Sequence, residues 1–112
     1  MKIIESFKHN FAKQLLARWL RYEYKTRTEV KFYNGDRIYF IADIVCYDKG
    51  EPFAIYEITH KHSIDFRKLS RIQQWSYRNG IQLQVYEVQA EWILSQIQRP
   101  KRLRYIDYTT II

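Results

Sequence analysis

An α/β domain with the order helix, three strands, helix, strand follows from three features of the sequence. Residues 3–24 repeat their apolar side chains at helical spacing. Two turn signals, Asn34-Gly35 and the run Lys49, Gly50, Glu51, Pro52, separate segments rich in Ile, Val, Phe and Tyr. A helical segment at 63–78 then runs straight into the alternating IQLQVYEV at 81–88, the pattern of a crossover to a parallel strand.

In the first helix, Ile4, Phe7, Phe11 and Leu15 lie on one apolar line continued by Trp19, and Leu16 and Leu20 widen it. Glu5, His9 and Lys13 form a polar ladder at i, i+4 and i+8 beside that line. The polar residues 25–28 close the helix, and residues 29–33 read as the first strand. The next strand, 37–47, is long enough to bend or bulge, and the third covers 53–59. Ser63 reads as an N-cap with Asp65 in the first turn, and Asn79-Gly80 stops the second helix. After the fourth strand, residues 89–98 suggest a short helix around Trp92, Ile93 and Ile97. The basic tail that follows carries Arg99, Lys101, Arg102 and Arg104, with an added edge strand expected at 103–108.

A chain of 112 residues supports one domain with one modest core. The formal charge of +7 favours a polyanionic partner, with nucleic acid ahead of an anionic membrane. Ten tyrosines supply material for a core, a dimer interface or a surface on which bases stack. The single cysteine, Cys46, sits among Ile44, Val45 and Tyr47, reads as a buried inert thiol, and suits a reducing cytoplasm. No signal peptide or membrane span is expected, because charge interrupts the apolar residues near the start.

The segment ADIVCYDKGEPFAIYEIT at 42–59 places one carboxylate in each of two strands, Asp43 and Glu57. If paired residue numbers sum to about 100, the two stand opposite each other on one face, with Cβ atoms roughly 4.5–5.5 Å apart. Carboxylates that close repel unless a proton or cation lies between them. They are either a solvent-facing pair or a site for a hard divalent ion such as Mg²⁺. On the second helix, Arg67, Arg71 and Arg78, with Gln74 between them, form a stripe that is either solvated or in contact with phosphate. His60 and His62 near Asp65 lack the further ligands of common zinc sites. The three glycines stand alone at turns, so no phosphate loop is present.

Three pieces resemble the PD-(D/E)XK nuclease superfamily, with the closer likeness to small nuclease domains of the competence protein CoiA-like kind. They are ESFKHNFAKQLL, RIYFIADIVCYDKGEPFAIYEIT and HKHSIDFRKLSRIQQWSYRNGIQLQVYEV. The resemblance implies a restriction-endonuclease-like αβββαβ core with a mixed sheet at about 3–88 and an extension at 89–112. It makes Asp43 and Glu57 the metal-binding carboxylates, joined by Glu5 and His9 from the first helix. Where the superfamily pattern has a lysine two residues after the second acid, this chain has Thr59. Lys61, His60 or Lys13 could stand in for it.

The expected function is a Mg²⁺- or Mn²⁺-dependent endonuclease acting on duplex or branched DNA. The phosphate contacts would come from Arg67, Arg71, Gln74, Arg78, Lys101, Arg102 and Arg104. Alternatives are a non-catalytic nucleic-acid-binding module with the same fold and a small protein-interaction factor. The small size suggests a homodimer, paired through the tyrosines and the segment after Val88.

Overall fold

A computed structural model describes residues 2–60, 64–96 and 109–110, with side chains at 6–60 and 64–96. The elements are α1 (Lys2–Leu20), β1 (Lys25–Asn34), β2 (Arg37–Asp48), β3 (Glu51–Thr59), α2 (Phe66–Asn79), β4 (Gln84–Gln89), α3 (Ala90–Ser95) and the two-residue β5 (Thr109–Thr110). The expected α/β order is present. The strands form one mixed sheet in the order β1-β2-β3-β4-β5, antiparallel except for the parallel β3–β4 pair joined through α2.

The sheet is covered on both faces. On one side Ala12, Leu16, Ala17, Trp19 and Leu20 of α1, together with Ala90 and Ile93 of α3, pack on Ile44, Cys46, Tyr56, Ile58 and Val88. On the other, Ile72 of α2 packs with Phe32, Phe40, Val45, Ile55, Leu83 and Val85. Layers on both faces are the usual home of a parallel crossover, which cannot leave its strands wet.

Several expectations at element level are corrected. The buried face of α1 is not the Phe7–Phe11 line: Phe7 is 69% and Phe11 44% exposed. Ala12 and Ala17 let the helix backbone approach the sheet closely, which turns the helix so that Leu16 and Leu20 point inward. The helix also ends at Leu20, where the Tyr22 and Glu23 amides reach back only three residues, to Trp19 and Leu20. Residues 25–28 belong to β1, because the ladder to β2 begins at Lys25↔Tyr47.

The second hairpin turns on Lys49 and Gly50 alone, both with positive φ, as a type I′ connection requires. Glu51 and Pro52 are strand residues, accommodated by a register shift between Cys46 and Tyr47. Asp65 caps α2, its Oδ1 accepting the Arg67 amide at 2.9 Å, whereas Ser63 lies outside the described residues. β4 starts at Gln84 instead of residue 81, and α3 ends at Ser95 instead of residue 98. The edge strand expected at 103–108 lies outside the described residues. The strand beside β4 is Thr109–Thr110.

One irregularity positions the site. On β2, Phe40 and Ala42 pack with α2, while Ile44 and Cys46, two and four residues on, pack with α1. Strict alternation would have kept all four on one side. On β1 the change falls at Glu29, whose φ of 50° is left-handed. Thr26 before it touches Cys46 at 3.6 Å, and Val30 and Phe32 after it join the α2 side. The hairpin therefore bends at Glu29 and Asp43, which the flanking pairs Thr28↔Ile44 and Val30↔Ala42 set opposite each other.

Candidate active site

At the bend, the β2–β3 ladder gives way to side-chain bonds. Pairing follows the sum of 100 through Cys46↔Ala54, Val45↔Ile55 and Ile44↔Tyr56, so the next pair is Asp43 with Glu57. The Asp43 amide donates to Glu57 Oε2 at 2.8 Å, and the Ile58 amide donates to Asp43 Oδ2 at 2.8 Å. Each carboxylate thus holds a main-chain group of the other strand. The two acids expected to converge do so.

Both helices reach this pair. From α1, His9 Nε2 lies 3.3 Å from Asp43 Oδ1. From α2, Lys68 Nζ is ion-paired with Glu57 Oε1. The Glu57 side chain is only 6% exposed and that of Asp43 18%. Burial pushes the Asp43 carboxyl up, but hydrogen bonds from His9 and the Ile58 amide outweigh it and hold the group below the usual range. Burial and the Asp43 charge push Glu57 above its ordinary value, and Lys68 offsets this only in part. Two neighbouring acids are thereby driven apart in proton affinity, a pattern common at functional sites.

The other expected site residues divide. Lys13 is buried at 3% exposure and ion-paired with Glu29, which the bend sets opposite Asp43. Lys13 therefore stands at the margin of the pair, and its hydrogen bond and charge lower the Glu29 pKa. The His60 ring centroid lies 5.6 Å from that of His9. Thr59 is buried, and its hydroxyl has no hydrogen-bond partner among the described residues. The Glu5 side chain, Lys61, Lys101, Arg102 and Arg104 lie outside the described residues. Among those described, no cluster of three or more His, Cys, Asp or Glu side chains is arranged around a common ion position.

Much of the cationic stripe of α2 rests on Tyr39 of β2. Arg71 donates to the Tyr39 carbonyl at 3.0 Å, and the Arg71 and Arg78 guanidinium carbons lie 5.4 and 5.9 Å from its ring centroid. The Tyr39 hydroxyl donates to Gln74. Gln74 and Arg78 are thus engaged in holding α2 against β2. Between these elements opens a cavity of about 440 Å³ lined by Tyr39, Phe40, Ile41, Asp65, Arg67, Lys68 and Arg71.

Lys68, Glu29 and Tyr39 were not singled out by the sequence reading. Lys68 had a legible signal: it stands one helical turn, four residues, before Ile72, the buried residue of α2. A lysine there can reach the sheet, where Glu57 meets it. Glu29 offered none, since its role depends on a left-handed backbone angle.

Comparison with protein-family models, with curated proteins and with solved structures found no match.

Proposed function

We propose that this domain is a divalent-metal-dependent phosphodiesterase acting on DNA, with Asp43 and Glu57 as the ion's protein ligands. The observation that carries the proposal is the reciprocal seating of two acids on facing strands, Glu57 fixed by the Asp43 amide and Asp43 by the amide of Ile58, next to Glu57. Hard oxygens from one or two carboxylates, completed by water, suit Mg²⁺ or Mn²⁺. Among the described residues each of the four oxygens has one protein partner (His9, the Ile58 amide, Lys68 and the Asp43 amide) and two acceptor lone pairs, which leaves acceptor capacity for an ion. When bound, the ion would polarise a phosphoryl oxygen and lower the pKa of a coordinated water.

The chain's own residues supply the rest. His9 orients Asp43, and with His60 beside it can accept or deliver a proton at the site's edge. Lys68 offers the ammonium that the strand lacks at Thr59, arriving from α2 and balancing charge beside Glu57. Arg67 and Arg71 line the adjoining cavity, where a phosphate backbone would be held.

A second reading, a non-catalytic nucleic-acid-binding module, is favoured by the same four engaged oxygens and by Thr59. Incubation of plasmid, branched and single-stranded DNA with Mg²⁺ or Mn²⁺ separates the two. Metal-stimulated cleavage that disappears in Asp43→Ala is the expected result. Equal cleavage by both proteins, or none by wild type, removes the nuclease reading. Salt-sensitive binding without cleavage leaves the module.

A further inference from the structure

The cavity between β2 and the first half of α2 has a composition that narrows the substrate. One side is cationic, with Arg67, Lys68 and Arg71; the other is apolar, with Tyr39, Phe40 and Ile41. Arg67 is exposed, and Ile41 is 43% exposed despite its place in the long strand β2. Arg71 spends one N–H donor on the Tyr39 carbonyl and carries five in all. The only carboxylate among the described lining residues, Asp65, is committed through Oδ1 to capping α2. Lys68 belongs both to this lining and to the ion pair with Glu57, so the cavity opens beside the carboxylate pair.

We infer that this cavity seats one unpaired nucleotide of a single-stranded or splayed DNA, its phosphate on Arg67 and Arg71 and its base against the exposed Ile41. The inference rests on the reading of Asp43 and Glu57 as the reactive centre and deepens it by naming the form of the substrate. A volume of about 440 Å³ is that of a small-molecule site. It has room for one nucleotide, and a base still paired and stacked in a duplex cannot enter it. An apolar wall opposite a cationic one also has no use for a paired strand, whose bases are stacked inward and whose exposed surface is phosphate and sugar. Unpaired bases present an apolar face, which an exposed apolar side chain such as Ile41 can cover.

The test is fluorescence anisotropy in EDTA, so that binding is read without cleavage. The probes are a labelled 20-nucleotide oligothymidylate and a blunt duplex of the same length. Wild type is expected to bind the single strand at least tenfold more tightly than the duplex, with affinity falling as salt rises. Arg67→Ala and Ile41→Glu are each expected to weaken single-strand binding at least fivefold with an unchanged melting temperature, and Arg18→Ala on the outer face of α1 to leave it unchanged. Equal or tighter duplex binding overturns the inference, as does wild-type affinity in both folded cavity variants. Thymidine monophosphate that displaces the strand at equal nucleotide concentration marks a free-nucleotide site and also overturns it. Cleavage by wild type with Mg²⁺ or Mn²⁺ separates this claim from the catalytic one. A wild-type protein that binds as expected and cleaves nothing keeps the cavity assignment and loses the nuclease reading, whereas Asp43→Ala is expected to lose cleavage and keep single-strand binding.

Discussion

Glu57 and Lys68 show most directly how one side chain depends on another here. Glu57 is nearly buried and faces Asp43 across the ladder, Glu87 in register on β4, and the Lys68 ammonium from α2. Replacing Lys68 by Ala leaves the acid without its cation, which should cost about 1–3 kcal/mol in urea unfolding at neutral pH. The sign of the pH dependence follows from the raised Glu57 pKa. The folded state binds this proton more tightly than the unfolded chain does. The stabilisation by protonation is therefore full below the unfolded pKa and is lost as pH rises through the folded one. Loss of Lys68 raises the folded value further, so the cost of Lys68→Ala should shrink as the solution is acidified. A cost that stays constant from neutral pH down to ~pH 4.5 would reject this account. Asp43, held below its usual range, works in the opposite sense and loses its contribution as pH falls.

Cys46 is the second residue whose environment sets its behaviour. It is fully buried, and burial pushes its thiol up to about 11. A thiol reagent at ~pH 8 should leave the folded protein unmodified and label it in denaturant, since the thiolate is the reacting form. Rapid labelling of the folded protein, followed by mass spectrometry, would contradict the packing of α1 on β2.

Among the elements, α2 is the best specified. Its end is a Schellman motif: the Gly80 amide reaches Tyr77 and the Ile81 amide reaches Ser76, with Gly80 at φ 62°. Gly80→Ala should cost about 1 kcal/mol in thermal or urea unfolding. It should leave the carboxylate pair untouched, since the pair meets α2 near its other end. The ladder Glu5, His9, Lys13 on α1 illustrates an element read correctly in spacing and incompletely in purpose. Its described members do not pair along the helix. His9 turns to Asp43 and Lys13 to Glu29, so one helix face braces both strands of the bent hairpin.

For the whole molecule, the +7 charge and the layered fold make salt dependence the main diagnostic of any nucleic-acid binding. Described helices include none long and apolar enough to cross a membrane. Among the described residues, exposed aromatic side chains occur on both layers, Phe7 and Phe11 on α1 and Phe66 and Tyr77 on α2. The homodimer proposed from the small size is checked by sedimentation equilibrium at micromolar concentration. Twice the 13.8 kDa chain mass is expected, and the mass of one chain overturns it.

What the sequence determined alone was the order of elements, both hairpins, the stop of α2 at Gly80, and the meeting of Asp43 with Glu57. Each of these is local or follows from period-two pairing, and such signals are written in consecutive residues. The face of α1 that is buried, the bend at Glu29 and Asp43, the Lys68–Glu57 ion pair and the cavity beside Tyr39 were decided only in the tertiary structure. They depend on how closely two alanines let a helix approach the sheet and on a left-handed angle at a residue with no preference for it. They also need partners far apart in the chain, such as Leu16 and Val88, to be brought together by packing, which no local pattern encodes.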